Sequence, residues 1–255
     1  MSERWPSTLW LVRHGESAGN VARDAAHAAD AERIDVAGRD VDVPLSARGQ
    51  EQADALGRWF ARAPEGGRPE VMLVSPYARA LATAGRFRDA GGTSVPDVPL
   101  CIDERLREKE FGILDGLTTR GVQVQQPDQA AFRQLLGKFY HRPPGGESWC
   151  DVILRLRSLM DTVSLHYAGR SVMIVAHQVV VLCMRYIVEN LDEAGILGID
   201  REGDVANCSI TEYRFDPAAG RFGNLVLQRY NATAPLNVAH APVTDAPDRP
   251  LAARG

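Results

Sequence analysis

Three short apolar runs punctuate the chain: Thr8-Leu9-Trp10-Leu11-Val12, Val71-Met72-Leu73-Val74 and Ser171-Val172-Met173-Ile174-Val175. Each is too short to span a membrane and too continuous for a strand with one wet face. Strands buried on both faces read this way, and they occur in parallel sheets covered by helices. The intervening segments have helical character. Residues 16–29 are alanine-rich, which favours helix. Ser46 is placed to cap a helix in which Ala53, Leu56 and Phe60 recur at helical spacing. Residues 77–87 are helix-like, and Val152, Ile153, Leu156, Leu159, Met160 and Val163 trace one apolar helix face. Apolar strands alternating with helices predict an α/β layered fold.

Elsewhere the pattern is weaker. Residues 89–99 and 112–121, rich in Gly or Pro, read as loops. Residues 179–188 are apolar throughout, and periodicity leaves helix and strand both open. Residues 209–215 and 225–230 read as late strands. The economical division is one domain over residues 1–233, with an excursion at about 110–146 over the site, and a flexible tail over 234–255. Of the 255 residues, 45% are hydrophobic, enough to build a sizeable core unaided. The formal net charge of −4 provides no basic field for nucleic acid or an anionic membrane. Met1 to Pro6 lacks the apolar core of a signal peptide. Cys101, Cys150, Cys183 and Cys208 are scattered, which argues against a disulfide framework and a cysteine zinc site. A cytoplasmic location is the expectation.

Two of the apolar runs end in a histidine, at Arg13-His14-Gly15 and Ala176-His177. The third leads through Ser75-Pro76 to Arg79. Sites in open α/β sheets lie at the carboxyl ends of the strands, so these residues are expected to converge. Arginine forks match phosphoryl oxygens, a neutral imidazole can attack phosphorus, and a helix start adds N–H groups facing an anion. Taken singly, each residue has a bland reading: His14 as a structural histidine, Arg79 as a solvated helix residue. It is the flanking pattern that favours function. His27, His141, His166 and His240 read as surface or structural residues, and Glu16 as a first-turn helix residue. Cys101 to Arg107 matches the C-x5-R pattern of cysteine phosphatases, but Asp103 and Glu104 would place negative charge in the cradle. Asp40-Val41-Asp42 has the form of an aspartyl-phosphate motif, without the apolar strand that should precede it.

The run Leu11-Val12-Arg13-His14-Gly15-Glu16-Ser17-Ala18-Gly19-Asn20 resembles the signature of the histidine phosphatase superfamily. That superfamily includes cofactor-dependent phosphoglycerate mutases, broad-specificity phosphatases and fructose-2,6-bisphosphatases. Further blocks follow in family order: Pro44-Leu45-Ser46-Ala47-Arg48-Gly49, Ser75-Pro76-Tyr77-Ala78-Arg79-Ala80, Leu106-Arg107-Glu108-Lys109-Glu110-Phe111-Gly112, Pro144-Gly145-Gly146-Glu147-Ser148 and Val175-Ala176-His177. The resemblance implies a three-layer α/β/α sandwich with a mainly parallel central sheet. It implies that His14 is phosphorylated, that Arg13 and Arg79 hold phosphoryl oxygens, and that His177 donates to them. Glu108 would protonate the leaving group and then activate water; Glu104 and Glu110 lie close by, and only family spacing selects Glu108. Asn20 stands where the family often contacts phosphate or substrate. No metal or organic cofactor is implied, and homodimers are common in such folds.

Within the family, the interval 111–145 is shorter than a mutase insertion, and Gln178-Val179 replaces the Gly-Asn usual after the second histidine of mutases. A more open site favours water as acceptor. His-Gln resembles the fructose-2,6-bisphosphatases, so Arg142 and Gln178 are candidate contacts to a sugar phosphate; capping of the following helix is the equal alternative for Gln178. The expectation is a metal-independent phosphomonoester hydrolase acting through a phosphohistidine on a small phosphorylated metabolite, of sugar phosphate or phosphoglycerate type. The alternatives are mutase-type transfer and a non-catalytic phosphate-binding protein.

Overall fold

The computed structural model describes residues 4–64 and 66–245. Its elements run β1 (Thr8–Arg13), α1 (Ala18–Ala28), α2 (Ala47–Ala61), β2 (Val71–Val74), α3 (Ala78–Asp89), β3 (Leu100–Ile102), α4 (Thr119–Gln125), α5 (Pro127–Tyr140), α6 (Trp149–His166), β4 (Ser171–Ala176), α7 (Gln178–Val188), α8 (Glu193–Glu202), β5 (Ile210–Asp216), β6 (Asn224–Ala232) and α9 (Ala234–Val238). They form one sheet in the order β3-β2-β4-β1-β5-β6. The four strands β3, β2, β4 and β1 are parallel, and β5 and β6 add an antiparallel edge. The expected α/β/α sandwich is the observed fold.

The three apolar runs sit at the centre, and the strand period of two sorts their side chains between two cores. Leu9, Leu11, Val172 and Ile174 face Leu156, Leu159 and Met160 of α6 and Val181 of α7. Trp10, Val12, Met173 and Val175 face Leu56 and Phe60 of α2 and Ala84 and Phe87 of α3. Phe60 meets Trp10 and Phe87 edge-on, with centroids 5.4 and 5.2 Å apart. Burying each such large side chain stabilises the fold by about 1.5–3 kcal/mol. Both faces are therefore dry, which is why these runs show no polar alternation.

Several local expectations are corrected. Residues 112–121 are more than a loop: Thr118 caps α4 by accepting from the Gly121 amide (3.0 Å), and Pro127 opens α5, where its missing N–H costs nothing. Leu114, Leu117 and Val122 form a small third core there, with Phe111 and Ala130 against it. Residues 179–188 lie within α7, where Arg185 pairs with Glu189 one turn on (2.7 Å). The edge strand β3 follows the expected loop; three residues are too few to show a period. The tail expected to be flexible from Ala234 begins as α9, where Pro235 and Leu236 are buried, and the Asn207 amide donates to the Thr244 carbonyl (2.7 Å). Residues 246–255 lie outside the described residues. No helix among the described residues is long and apolar enough to cross a membrane.

One close approach positions the end of β1. A Cβ placed on Gly49, in the first turn of α2, would sit 1.9 Å from the Glu16 carbonyl oxygen, and one on Gly15 would sit 2.5 Å from the Gly49 oxygen. Both obstacles are backbone, so neither can swing aside. Gly49→Ala should cost about 3 kcal/mol, the upper part of the usual range for overpacking. Urea unfolding checks this, and an unchanged midpoint would show that the two segments have room to separate.

Candidate active site

Parallel pairing brings the ends of the three central strands to one edge. Arg13 lies opposite Ala176, and Val74 opposite Val175. The next residue in each strand therefore enters the same space: His14, Ser75 and His177. The His14 amide donates to the Ala176 carbonyl (2.9 Å), and the Ser75 amide to the Val175 carbonyl (3.0 Å). Arg79 is the second residue of α3 and His177 immediately precedes α7, so two helix N-termini face this edge with their positive dipole ends.

His14, His177, Arg13 and Arg79 are all buried. The two imidazoles meet edge-on with centroids 5.1 Å apart. His14 Nδ1 lies 2.6 Å from the Gly15 carbonyl oxygen. A carbonyl only accepts, so Nδ1 carries the proton and the neutral ring presents its lone pair at Nε2. Arg79 Nε donates to that Nε2 (3.2 Å). His177 Nε2 is within 2.8 Å of Ser75 Oγ, which also accepts from the Tyr77 amide (3.3 Å). Arg13 donates through Nη1 to the Val205 carbonyl (2.6 Å), which fixes its fork just before the nucleophile position. The result is a compact, buried set of imidazole and guanidinium groups, suited to a phosphoryl group.

Two residues in this cluster were missed by the sequence reading. Asp40, set aside there as a failed phosphorylation motif, holds Arg79: its carboxylate oxygens accept from Nη1 (3.2 Å) and Nη2 (3.1 Å), and its carbonyl accepts from Nη1 (2.7 Å). The outer edge of the guanidinium is thereby anchored while Nε points at His14. Tyr77 packs its ring on His177, centroids 5.0 Å apart, and under Arg79, 4.9 Å from the centroid. Its hydroxyl donates to Glu110 Oε1 (3.0 Å), and burial together with the Glu110 charge pushes the phenol well above its usual range. The sequence clue to Tyr77 was its position three residues after the end of β2; Asp40 lies in a short turn with no periodic signal.

The other candidates have partners of their own. Of the three nearby carboxylates, Glu104 is exposed, Glu110 is half-exposed and tied to Tyr77, and Glu108 is buried, accepting at Oε1 from the Lys109 amide (2.7 Å). Asn20 sits in the first turn of α1, where its Oδ1 accepts from the Ser17 amide and hydroxyl (both 2.9 Å), completing a capping box. Gln178 is buried, but its Nε2 donates to Asp204 (2.7 Å), so the capping alternative does not hold. Arg142 is largely exposed and braces the loop before α6, donating to the Gly146 carbonyl (3.2 Å) and lying 3.4 Å from Asp151. Glu16 is not in the first helical turn. α1 begins at Ala18, and the buried Glu16 carboxylate accepts from Ser46 Oγ (2.6 Å) and pairs with Arg48 (3.3 Å). The C-x5-R decoy dissolves: Cys101 is on β3, and Arg107 pairs with Glu147 (2.7 Å).

Lys109, next to Glu108, is buried with its ammonium 4.4 Å from the Phe111 ring centroid. Burial, then the Arg133 charge, pulls it from the usual 10.5 down to about 8. Between about pH 8 and 10.5 the unfolded chain thus holds a proton the folded chain has released, so this residue's contribution to stability rises with pH across that window. Wild-type stability should therefore gain on Lys109→Met between pH 8 and 10 in denaturant titrations. Parallel curves for the two proteins would contradict this.

A profile of the histidine phosphatase superfamily (branch 1) matches residues 9–228. The chain is 26% identical over 232 residues to a probable phosphoglycerate mutase of Yersinia enterocolitica, spanning 90% of this chain and 95% of the relative. It is 32% identical over 207 residues to a putative phosphoserine phosphatase of Hydrogenobacter thermophilus, spanning 77% and 90%. Among solved structures, a mycobacterial glucosyl-3-phosphoglycerate phosphatase in complex with inorganic phosphate superposes with a TM-score of 0.65 at 22% identity, covering 90% of this chain and 99% of that one. The Bacillus stearothermophilus protein YhfR gives a TM-score of 0.65 at 26% identity, covering 87% and 96%. Relatives and fold agree with the arrangement around His14: the chain belongs to the histidine phosphatase superfamily, a family of phosphoryl hydrolysis and transfer.

Proposed function

We propose that this protein hydrolyses the phosphomonoester of a small metabolite without a metal, through a phosphohistidine on His14. The observation that carries the reading is the 2.6 Å contact from His14 Nδ1 to the Gly15 carbonyl, which leaves the nucleophilic lone pair on Nε2, beside Arg79. As the ester enters, the Arg79 Nε–H passes from Nε2 to a phosphoryl oxygen. Nε2 attacks phosphorus, the ester P–O bond breaks, and Glu108 gives its proton to the departing oxygen. Glu108 then takes a proton from water, the water oxygen attacks phosphorus, and the P–N bond breaks to release phosphate. Arg13, Arg79 and His177 stabilise the equatorial oxygens in both steps. Among the three neighbouring carboxylates, Glu108 is assigned the acid–base role because it alone is buried. The relatives named as phosphoglycerate mutases and a phosphoserine phosphatase favour a small phosphorylated acid as substrate. The mutase names also keep phosphoryl return to a second acceptor as the alternative outcome.

Wild type and His14→Ala should be compared, in the presence of a chelator, on an aryl phosphate, 3-phosphoglycerate and fructose-2,6-bisphosphate. Phosphate release by wild type and a loss of about 10³-fold or more in His14→Ala is expected. Isomerised phosphoglycerate with little free phosphate would select transfer over hydrolysis. Full activity in His14→Ala would end the phosphohistidine mechanism.

A further inference from the structure

The backbone around His14 is tied to the far end of the chain by a directional relay. The Glu16 amide donates to Gln52 Oε1 (2.8 Å). Gln52 Nε2 donates to Thr244 Oγ1 (2.8 Å), and also to the Pro242 carbonyl (2.8 Å). Thr244 Oγ1 donates to Asn207 Oδ1 (3.0 Å). Asn207 Nδ2 donates to the His14 carbonyl (3.0 Å), and the Asn207 amide closes back on the Thr244 carbonyl (2.7 Å). Gln52 and Asn207 are wholly buried. Read in order, each group accepts from the one before and donates to the next, from the Glu16 N–H to the His14 C=O.

We infer that Gln52, Asn207 and Thr244 are positioning residues for the nucleophile loop, and that residues 241–245 belong to the catalytic unit. This inference rests on the function proposed above only for its kinetic consequence. The physical point is amide orientation. A carboxamide offers a donor and an acceptor of almost identical shape, so its direction is set by its partners. The Glu16 N–H and the Pro242 carbonyl orient Gln52, the His14 carbonyl orients Asn207, and the Thr244 hydroxyl joins the two, accepting from Gln52 Nε2 and donating to Asn207 Oδ1. With the hydroxyl removed, Asn207 Oδ1 loses the Thr244 donor and Gln52 Nε2 loses one of its two acceptors, so both carboxamides are held less firmly. The His14–Gly15 peptide would then depend on Thr83 and on the Cys208 amide, which reaches the His14 carbonyl at 3.3 Å, and the next peptide, Gly15–Glu16, carries the carbonyl that orders the His14 ring. Aligned donors and acceptors also polarise one another, so the relay is stiffer than its separate bonds.

The test compares Thr244→Val, which keeps shape and removes the hydroxyl, with Thr244→Ser, which keeps the hydroxyl. Two readouts are used: hydrogen exchange of the amides in residues 13–17, and steady-state turnover of p-nitrophenyl phosphate. Thr244→Val should exchange about tenfold faster at Gly15 and Glu16, the size expected for loss of one or two buried hydrogen bonds. It should lower kcat about tenfold with KM within twofold, and Thr244→Ser should restore both. Thermal unfolding of each variant separates this from global loss of the fold, and Thr244→Ala serves if the valine variant is unfolded. Wild-type exchange and wild-type kcat in a folded Thr244→Val protein would overturn the inference. If wild type itself turns over no phosphate ester, the proposed function fails, while the exchange readout still decides the relay.

Discussion

Everything at the site depends on a carbonyl that accepts from the ring before it. The Gly15 oxygen takes the Nδ1 proton of His14, which settles the tautomer and the ring plane together. That contact holds only while the peptide does not rotate, and the chain accounts for its neighbours one by one. The Arg13 carbonyl accepts from the Cys208 amide, and the His14 amide donates to Ala176. The Gly15 amide donates to Thr83 Oγ1, and the Glu16 carbonyl accepts from the Ser46 amide. Groups from β4, α3, the start of α2 and the turn before β5 all contribute. The three residues that follow β1, with no regular structure, are thus as firmly bonded as a strand, and a nucleophile can be aimed from them.

The sheet supplies the rest of the geometry at little cost in specialised residues. Parallel strands in register bring their carboxyl ends level, so His14 and His177 become neighbours although 163 positions separate them in the sequence. The helices that follow β2 and β4 then begin at the same edge, and their N-terminal amides add positive potential where an anion would lie. Arg79 gains its direction from Asp40 on one side and His14 on the other, with the Tyr77 ring under its face. A guanidinium held on three sides has already lost its rotamer freedom, so little remains to be lost when phosphate arrives.

What could be read from sequence followed the same physics. Strands dry on both faces must be apolar throughout, so β1, β2 and β4 stood out and His14, Arg79 and His177 with them. The residues that escaped are those whose meaning comes from distant partners. Asp40 sits in a short turn and acts on Arg79; Gln52 looks like one more polar residue of α2; Asn207 and Thr244 lie outside any periodic segment. Asn20, Gln178 and Arg142 matched an expected pattern by position, and the structure adds partners that position alone does not reveal: Ser17, Asp204 and Asp151. Helices α4 and α5 were hidden because the clues at their starts, Thr118 and Pro127, stand among glycines and glutamines that also suit a loop.

The small core under α4 has one more consequence. Leu114, Leu117 and Val122 pack among themselves, with Phe111 and Ala130, apart from the two cores that hold the sheet. The end of α5 is different: beyond Gly137, where the backbone turns left-handed, Phe139 is buried in the main core against Trp149 and Tyr186. The end of α5 is thus rooted in the body, while α4 and the turn before it rest on a separate foundation. Leu114, Leu117 and Val122 share no member with the two cores that carry β1 and β4, so a substitution among them acts first on its own small cluster.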